Sequence, residues 1–352
     1  MRKLASIQTV NAVETIPNAD AIEHVRVLGW WVVVKKGEFA VGDRIVYCEI
    51  DSLLPERPEF EFLRKNCFKA AIVQGGNEVQ RAGFRIKTVR LRGQVSQGIC
   101  FPLAVLPPGT PTDEWADVTE ALGIIKHDPP PPANMAGSVK GNFPSFIPKT
   151  DETRVQVLEA MLLRHAGKVF NVTEKLDGSS FTAFLRDGTF GICSRNLLLD
   201  ESDDTHLFVQ LSKRLELGAT LVRLRDKYGF DPAIQGEVLG PGVQGNKYGL
   251  REAELRVFNL FDISASRLID LDRALELLRE FRLEVVPQLE PITLGHGVDD
   301  LIRLSEGVSV LNPKVQREGI VLRPTVEEFE PELGGRLSFK AINPQFLLKY
   351  DE

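Results

Sequence analysis

The 352-residue sequence is poor in several features that mark particular classes of protein. It has four cysteines, Cys48, Cys67, Cys100 and Cys193, which lie far apart with no Cys-x-x-Cys pair. Neither a zinc site nor a disulfide framework is therefore indicated. Reduced and mostly buried thiols in a cytoplasmic protein are expected instead.

Long apolar runs are also missing. No segment approaches the ~20 residues that a membrane-spanning helix requires. The N-terminus, Met1 to Ala5, leads into an alternating pattern rather than the apolar stretch of a signal peptide. We therefore expect a cytoplasmic protein without a membrane partner. The composition, 43% apolar and 26% charged, is typical of a globular protein.

Histidine is scarce, and excess positive charge is absent. The five histidines are scattered with no accompanying set of acid, serine or cysteine, so catalysis by a histidine base or nucleophile is not indicated. The net charge of −6 argues against a general binder of polyanions but leaves room for a local basic groove. The length favours two domains.

The first 105 residues read as short β-rich segments separated by turn residues. This pattern predicts a five-stranded barrel. One long strand is predicted at residues 84–91 and closed by Gly93. Two local runs resemble the tRNA-binding OB domains appended to aminoacyl-tRNA synthetases, and the resemblance covers about residues 5–103. The runs are residues 16–20 with 23–27, and residues 86–93 with 96–98.

Basic residues of this region could line a face that follows nucleic-acid phosphates. In a regular strand, Arg85 and Lys87 would lie on the face opposite Arg90 and Arg92, so a bulge would be needed to unite them. A solvated barrel exterior is an equally compatible interpretation. No aromatic platform is evident, so base-specific reading is not indicated. The candidates are Lys35, Lys36, Arg85, Lys87, Arg90 and Arg92.

Residues 106–149 are predicted to form a proline-rich linker. Pro107-Pro108-Gly109 and the prolines at 129–132 favour a stiff spacer. The second domain, residues 150–352, mixes helix and strand patterns without regular βαβ repeats, which indicates an α+β fold. Its predicted helices are residues 153–165, 204–226 and 270–281.

The run Glu-Lys-Leu-Asp-Gly-Ser-Ser at residues 174–180 carries the main chemical signal. Lys175 stands two residues before Asp177 and is preceded by apolar and β-branched residues. This is the pattern expected of a lysine amine that acts as a covalent nucleophile at the end of a strand. Lys-x-Asp-Gly alone recurs by chance in many proteins, so its meaning depends on other motifs.

Five further motifs follow in order, and the set resembles that of the covalent nucleotidyltransferase superfamily, the polynucleotide ligases and mRNA capping enzymes. The motif that begins at Gly236 and the motif that begins at Val257 look specifically like those of ATP-dependent RNA ligases. The resemblance covers about residues 145–350. The motifs are Ser194-Arg195-Asn196, the run from Gly236 to Gln244, the run from Val257 to Ile263, Glu318 to Pro324, and Ser338 to Asn343.

The lysine chemistry predicts the surroundings of such a site. A lysine amine has a pKa near ~10.4 and attacks only if cations or desolvation lower that pKa. A metal ion and basic side chains around the ATP phosphates could do so. We therefore expect lysines and arginines around the phosphates, with one or two Mg²⁺ held by carboxylates directly or through water.

The resemblance implies a role for each matching residue. Lys175 would be the nucleophile, Asp177 and Glu318 would organise the metal and its waters, and Glu237 would act at the ribose and in the metal shell. Phe258 would stack on the adenine.

Four more residues take roles from the same resemblance. Gly178 would allow close approach, and Arg195 would engage the AMP phosphate or the acceptor 5′-phosphate. Lys340 would contact the α-phosphate, and Glu174 would help to recognise adenine. One departure is Ile342, where many relatives have a second lysine, and Lys349 or Arg323 are candidates to compensate.

The resemblance is closest to the ATP-dependent RNA ligases with an N-terminal OB domain, called RNA ligase family 5. It implies an OB barrel followed by an ATP-grasp-like adenylation domain with antiparallel sheets and flanking helices. The sequence ends soon after the last motif, whereas DNA ligases and capping enzymes carry a later OB domain. We expect a monomer that uses ATP with Mg²⁺ or Mn²⁺.

The expected reaction seals 3′-OH/5′-phosphate breaks through a lysyl-adenylate and a 5′-adenylylated nucleic acid. The expected substrate is a nicked duplex with RNA on the 3′-OH side. A DNA ligase and a capping-type guanylyltransferase are alternatives within the enzymes. An RNA-binding adaptor with an inactive nucleotidyltransferase module is the alternative outside them.

Overall fold

The computed structural model describes residues 3–129, 135 and 137–351. They form two compact units. The first contains the described residues within 1–130, 156–159 and 344–352, and the second those within 131–155 and 160–343.

The first unit is a β-barrel of the OB type. Its main sheet has the order β12-β4-β1-β2-β3, and a smaller sheet has the order β13-β5-β9-β6. Strand β3 alternates inward Trp30, Val32 and Val34 with more exposed neighbours, as a half-buried strand requires. The strands are β1 Ala5–Thr15, β2 Ile22–Val27, β3 Trp30–Lys35, β4 Arg44–Cys48, β5 Ser52–Leu54, β6 Phe68–Lys69, β7 Ile72–Gln74, β8 Asn77–Gln80, β9 Gly83–Arg85, β10 Val89–Leu91, β11 Gln94–Ser96, β12 Ile99–Pro102 and β13 Ile125–Lys126, with helices α1 Arg64–Cys67 and α7 Pro344–Tyr350.

The long strand predicted at residues 84–91 is wrong. Strand β9 ends at Arg85, and β10 begins at Val89 and forms a two-stranded sheet with β11 among the described residues. Between them, Ile86 exchanges backbone hydrogen bonds with the chain that leads into β5, donating to Ser52 O at 2.9 Å. Thr88 is buried. Apolar alternation continues across this break, which is why the sequence pattern did not show it.

The predicted linker, residues 106–149, instead contributes to both units. Val118, Leu122 and Ile124 are buried in the core of the first unit, and β13 pairs with β5. Residues Val139–Asn142 pair with a strand of the second unit. The prolines at 130–132 lie outside the described residues. Short apolar groups between prolines were therefore enough to anchor this segment.

The second unit is built from two sheets. The larger has the order β14-β19-β18-β17-β20-β21-β22, and the smaller has the order β15-β27-β24-β16-β23. Helices α3, α4 and α5 supply residues to the main core of this unit, with Phe181 and Phe208 fully buried in it. The elements are β14 Val139–Asn142, β15 Thr153–Arg154, β16 Val169–Lys175, β17 Ser179–Arg186, β18 Thr189–Cys193, β19 Leu197–Leu199, β20 Pro232–Leu239, β21 Glu254–Asp262, β22 Arg267–Leu268, β23 Gln288–Thr293, β24 Gly319–Pro324, β25 Phe329–Glu330, β26 Gly335–Arg336, β27 Phe339–Ile342, α2 Glu159–Arg164, α3 Leu207–Arg214, α4 Leu217–Tyr228, α5 Leu271–Glu280 and α6 Val298–Ser305.

The predicted helices are present with different bounds. The helix expected at 204–226 is divided into α3 and α4 by Glu216, whose φ of 48° is left-handed. The helix expected at 153–165 is confined to α2, because residues Thr153–Arg154 form β15 beside β27. None of the helices in the described part of the chain combines the length and apolar character needed to cross a membrane.

Candidate active site

Lys175 and Glu318 meet where two adjacent strands of the smaller sheet come together. Lys175 ends β16 and pairs in register with Gly319, the first residue of β24. The neighbouring Glu318 accepts hydrogen bonds from Lys175 Nζ at 2.6 and 2.7 Å, one on each carboxylate oxygen. The lysine ammonium is therefore held by both oxygens of one carboxylate.

Glu237 comes to the same place from the larger sheet. It lies on β20 opposite Ser180 of β17, the strand that follows the Lys175 turn. Gly178 in that turn passes so close to β20 that a Cβ there would lie 2.3 Å from Val238 O. The motif glycine thus allows the turn to pack against the strand that carries Glu237.

Asp177 is fixed by two neighbours that sequence analysis missed. Its backbone N–H donates to Tyr248 Oη at 2.8 Å, and its carboxylate forms an ion pair with Lys247. Both charged side chains of this pair are only 11% exposed. Lys247 and Tyr248 stand three and four positions after Gln244, where the Gly-rich run ends, and that proximity was the signal that could have identified them.

The carboxylates set an unusual charge balance around Lys175. Burial alone would lower the pKa of Lys175, but the charges of Glu318, Glu237 and Asp177 together raise it above its ordinary value. Burial raises the pKa of Glu237 to about 8, opposed by Lys175 and reinforced by Glu318 and Asp177. The protein groups alone therefore favour a protonated Lys175, contrary to the lowered pKa that nucleophilic attack requires.

The lowered pKa belongs to Lys340 instead. This residue lies on β27 in register with Val321 of β24 and with Arg154 of β15. Burial, followed by the nearby charges of Lys175 and Arg154, lowers the pKa of Lys340 to about 7. A nearby anionic group would favour its charged form.

Phe258 projects from a β-bulge in the larger sheet. Gln235 and Gly236 are consecutive on β20, but their partners on β21 are Asn259 and Val257, so Phe258 is the extra residue. Bulges commonly redirect a side chain and are frequent beside active sites. This one leaves the Phe258 carbonyl available to a partner outside the ladder.

Arg323 provides that partner from β24 of the smaller sheet. Its guanidinium donates to Phe258 O at 2.9 Å and lies 5.6 Å from the centre of the Phe258 ring. It also donates to Glu152 and Ser338, each at 3.3 Å. Arg323 is only 5% exposed, so this candidate to replace the second motif lysine supports Phe258 from within the protein.

Glu174 occupies a different environment from Lys175. Its side chain is almost fully buried, and Oε2 accepts a hydrogen bond from Val310 N at 2.8 Å. Burial raises the pKa of Glu174, although hydrogen bonds from Ser309 and Val310 oppose the rise. The other oxygen, Oε1, is buried with no hydrogen-bond partner among the described residues, so its predicted contact with adenine stays a prediction.

Arg195 lies outside the carboxylate cluster. It donates to Asp151 at 2.7 Å, and both side chains are more than half exposed. The pair borders an open cavity in the second unit, where an anionic group could compete with Asp151 for Arg195. Its predicted contact with a phosphate is untested.

The six basic residues predicted for the first unit do not form one free surface. Arg85 and Lys87 both bind Asp351, the former through its backbone carbonyl at 3.1 Å. Arg90 donates to Gln345 in α7 at 2.7 Å. Lys35, Lys36 and Arg92 are exposed.

Three comparisons with known proteins bear on this arrangement. A family model described as an OB-fold domain matches residues 4–103, and one described as RNA ligase matches residues 168–342. A solved structure of Naegleria gruberi RNA ligase with PPi is 35% identical, covers 100% of this chain and 99% of its own, and has a TM-score of 0.87. The chain belongs to the RNA ligase family. The OB fold and the ligase family expected from the motifs are both confirmed.

Two further structures of the Naegleria gruberi enzyme resemble this ligase as closely. A glutamate-to-alanine mutant with ATP and Mn is 36% identical, covers 100% of both chains and has a TM-score of 0.88. A second glutamate-to-alanine mutant with AMP and Mn is 36% identical, covers 98% of both chains and has a TM-score of 0.87. A search of the curated proteins finds no match.

The charges of the predicted metal residues of the ligase influence one another, but the described residues do not form a complete metal site. Asp177 and Glu318 both influence the pKa of Glu237. Within the described part of the chain, no group of three His, Cys, Asp or Glu residues is arranged to hold an ion. This arrangement is compatible with contact through water, as the family resemblance implies.

Proposed function

We propose that this ligase uses ATP to seal 3′-OH/5′-phosphate breaks through a lysyl-adenylate on Lys175. The observation that carries the proposal is the double hydrogen bond from Lys175 Nζ to Glu318 beside the buried Glu237. An ordinary surface lysine is solvated and is not expected at the end of a strand among several carboxylates. The related Naegleria gruberi enzyme, solved with ATP and Mn, supports ATP as the nucleotide.

The proposed reaction has three steps. Lys175 Nζ, after losing its proton, forms a bond to the α-phosphorus of ATP as the bond to pyrophosphate breaks. The 5′-phosphate of the polynucleotide then displaces Lys175 from AMP. Finally the 3′-hydroxyl attacks that phosphate, and AMP leaves. Phosphoryl transfer of this kind depends mainly on positioning and charge neutralisation.

The protein's residues divide these tasks. Phe258, held by Arg323, offers a ring face to adenine. Glu237 accepts hydrogen bonds from the ribose hydroxyls. Lys340 would gain a proton as the phosphates arrive, because an anion raises a lysine pKa. Arg195 exchanges Asp151 for a phosphate of the nucleotide or of the acceptor.

The carboxylates of Asp177, Glu237 and Glu318 suit a hard divalent cation such as Mg²⁺ or Mn²⁺, mostly through water. Burial raises the pKa of Glu237 to about 8, Lys175 opposes this rise, and the charges of Glu318 and Asp177 add to it. A bound cation would supply positive charge that offsets the carboxylates now favouring protonated Lys175. Attack by Lys175 requires that its Nζ lose a proton and its hydrogen bonds to Glu318.

Labelled ATP tests the proposal directly. The purified ligase with ATP labelled at the α-phosphate and Mg²⁺ or Mn²⁺ should retain label, and Lys175→Ala should not. Lys213→Ala is the matched control, since Lys213 is an exposed lysine of α3 that pairs with Asp204 and lies outside the six motifs. Labelling from GTP or NAD in place of ATP, or retained labelling in Lys175→Ala, would contradict the proposal.

The proposed polynucleotide substrate is a nicked duplex with RNA on the 3′-OH side. Nicks that differ only in the sugar at each junction nucleotide separate this substrate from a DNA nick. We expect efficient sealing when the 3′-OH nucleotide is ribose. Equal sealing of all-DNA nicks would favour a DNA ligase.

We also propose that exposed Lys35, Lys36 and Arg92 contact phosphates of the substrate. Replacing Lys35 and Lys36 together with alanine should weaken nick binding and reduce the salt dependence of affinity, because each phosphate contact releases about one counterion. Arg85, Lys87 and Arg90 need exchange of their present partners before they can contribute. An unchanged salt dependence would remove Lys35 and Lys36 from the interface.

A further inference from the structure

A small open cavity in the second unit lies beyond the residues to which the proposed reaction assigns roles, apart from Arg195. Its lining combines two cations, three hydroxyls, one carboxylate and one aromatic ring. Such a set matches the parts of a nucleotide, which offers phosphate oxygens, sugar hydroxyls and a flat base. The lining residues are Phe143, Lys149, Thr150, Asp151, Ser180, Thr182 and Arg195.

One wall of the cavity is fixed by buried hydrogen bonds. Gln235, which is fully buried, donates to Pro148 O at 2.8 Å. Asn259 donates to Gln235 at 2.9 Å, and Arg336 donates to Asn259 at 2.8 Å. A continuous polar chain therefore holds the backbone immediately before Lys149, and satisfied networks of this kind give a defined position.

Lys149 is the cation in the wall with no acidic partner in the described structure. Its Nζ donates to the neutral amide oxygen of Asn196 at 2.8 Å, whereas Arg195 is paired with Asp151. The two cations and one carboxylate leave a net positive charge at the cavity. Thr150 and Ser180 hydroxyls lie 3.3 Å apart on its floor and can each give or take a hydrogen bond.

The cavity is connected to the catalytic cluster by strand register. Ser180 lies opposite Glu237 in the β17–β20 ladder. Three residues after Asp151, Arg154 lies opposite Lys340 in the β15–β27 pair. A ligand that contacts Ser180 would therefore lie beside the strand position that pairs with Glu237.

We propose that the residues around this cavity contact one ribose-phosphate unit of the polynucleotide, with its phosphate on Lys149 and its 2′-hydroxyl on Ser180 and Thr150. This inference rests on the proposed function and adds the residues that read the sugar. A 2′-hydroxyl that contacts this pair of side-chain hydroxyls from one side would be recognised by hydrogen bonds that deoxyribose lacks. The unit belongs to the 3′-OH strand or to the 5′-phosphate strand, and sugar substitution distinguishes the two.

The phosphate contact is tested by binding of a fluorescent nicked RNA duplex without ATP. Lys149→Ala should weaken affinity about 5- to 20-fold and reduce the log-log salt slope by about one. Lys149→Arg should restore most of the affinity. The matched control is Lys140→Ala, an exposed lysine of β14 that pairs with Glu201. Affinity of Lys149→Ala equal to that of the control would overturn the proposal.

The sugar contact is tested by sealing pre-adenylylated nicks that carry a single deoxyribose on one side of the junction or on the other. Ser180→Ala and Thr150→Val should each lower the ribose preference about 3- to 10-fold, and only at the nucleotide that these residues contact. An unchanged preference at both nucleotides would refute the sugar assignment.

Labelling by ATP separates this inference from the function on which it rests. In Lys149→Ala, the loss of nick affinity should exceed any loss of lysyl-AMP. If lysyl-AMP falls as much as nick affinity, the cavity serves the ATP phosphates and the inference is wrong. If the wild type forms no lysyl-AMP, the proposed function fails, while the nick-binding measurement still decides the role of the cavity.

Discussion

Arg323 should determine how well Phe258 holds a nucleobase, and a double-mutant cycle can measure this. Arg323→Met keeps the length of the buried side chain but removes its hydrogen bonds to Phe258 O, Glu152 and Ser338. Phe258→Leu keeps an apolar group in the bulge but removes the ring. The cycle comprises the wild type, both single variants and the double variant.

The expected stability loss follows from two opposing effects. Removing one member of a buried charged pair costs about 3–5 kcal/mol, because the partners are left unsatisfied. Burial of the guanidinium itself is unfavourable, since burial and then the charge of Arg336 lower the pKa of Arg323 to about 10. Methionine removes that cost. We therefore expect Arg323→Met to reduce the free energy of unfolding by about 2–4 kcal/mol.

The expected effect on nucleotide binding is separate from stability. A cation beside an aromatic ring contributes about 0.5–2 kcal/mol, depending on its exposure. The hydrogen bond from Arg323 to the Phe258 carbonyl also fixes the backbone at the bulge. Arg323→Met should therefore raise the ATP concentration for half-maximal lysyl-AMP formation about 5- to 20-fold, with a smaller effect on the maximal rate.

Coupling between the two residues decides the argument. The apparent free energy of ATP binding is obtained for each protein from the ATP dependence of lysyl-AMP formation, at a temperature where urea unfolding shows that all four proteins are folded. We expect a coupling energy of about 0.5–2 kcal/mol between Arg323 and Phe258. Effects that add within about 0.3 kcal/mol would show that Arg323 stabilises the unit without orienting Phe258. Arg323→Lys provides a control that keeps the charge but lacks the planar guanidinium.

Three further predictions concern the catalytic cluster. Gly178→Ala should lower the free energy of unfolding by about 1–3 kcal/mol in urea, because a Cβ would lie 2.3 Å from Val238 O; unchanged stability would contradict the close approach. Burial and then the charges of Lys175 and Arg154 lower the pKa of Lys340 to about 7, so from pH 7 to about 10 the unfolded chain binds more protons there and wild-type stability rises with pH. Lys340→Met should therefore be more stable than the wild type by roughly 1–3 kcal/mol at pH 7, and less so at pH 9; a pH-independent difference would refute this. Although burial alone would lower the pKa of Lys175, Glu318 helps to raise it, so Glu318→Gln should increase acetylation of Lys175 at pH 8 about 3- to 10-fold by peptide mass spectrometry; equal acetylation would count against the charge balance.

The covalent motif and the strands around it could be predicted because their signals are local. The strand expected to end at Lys175 is present as β16, because apolar and β-branched residues of this kind are typical of buried strands. The break after Arg85 could not be predicted, because it depends on backbone bonds from Ile86 to distant residues. Periodicity cannot show such a partner.

The electrostatics of the site were outside the reach of sequence reasoning for a similar reason. The motif identifies Lys175, but the direction of its pKa depends on carboxylates from separate strands. Lys149 carried no motif and lay in a segment predicted to be a spacer. The chain from Arg336 to Pro148 that positions it joins residues almost two hundred positions apart.

The extra residue at Phe258 also limits how this enzyme could be redesigned. Deleting one residue of β21 would restore an uninterrupted ladder with β20. If Phe258 is the residue deleted, Asn259 and Leu260 would stay opposite Gln235 and Ile234, but the extra position that carries the ring and its backbone carbonyl would be lost. A regular strand would therefore lack the position from which Phe258 presents both its ring and its backbone carbonyl. Any designed protein that reuses this site has to keep the bulge.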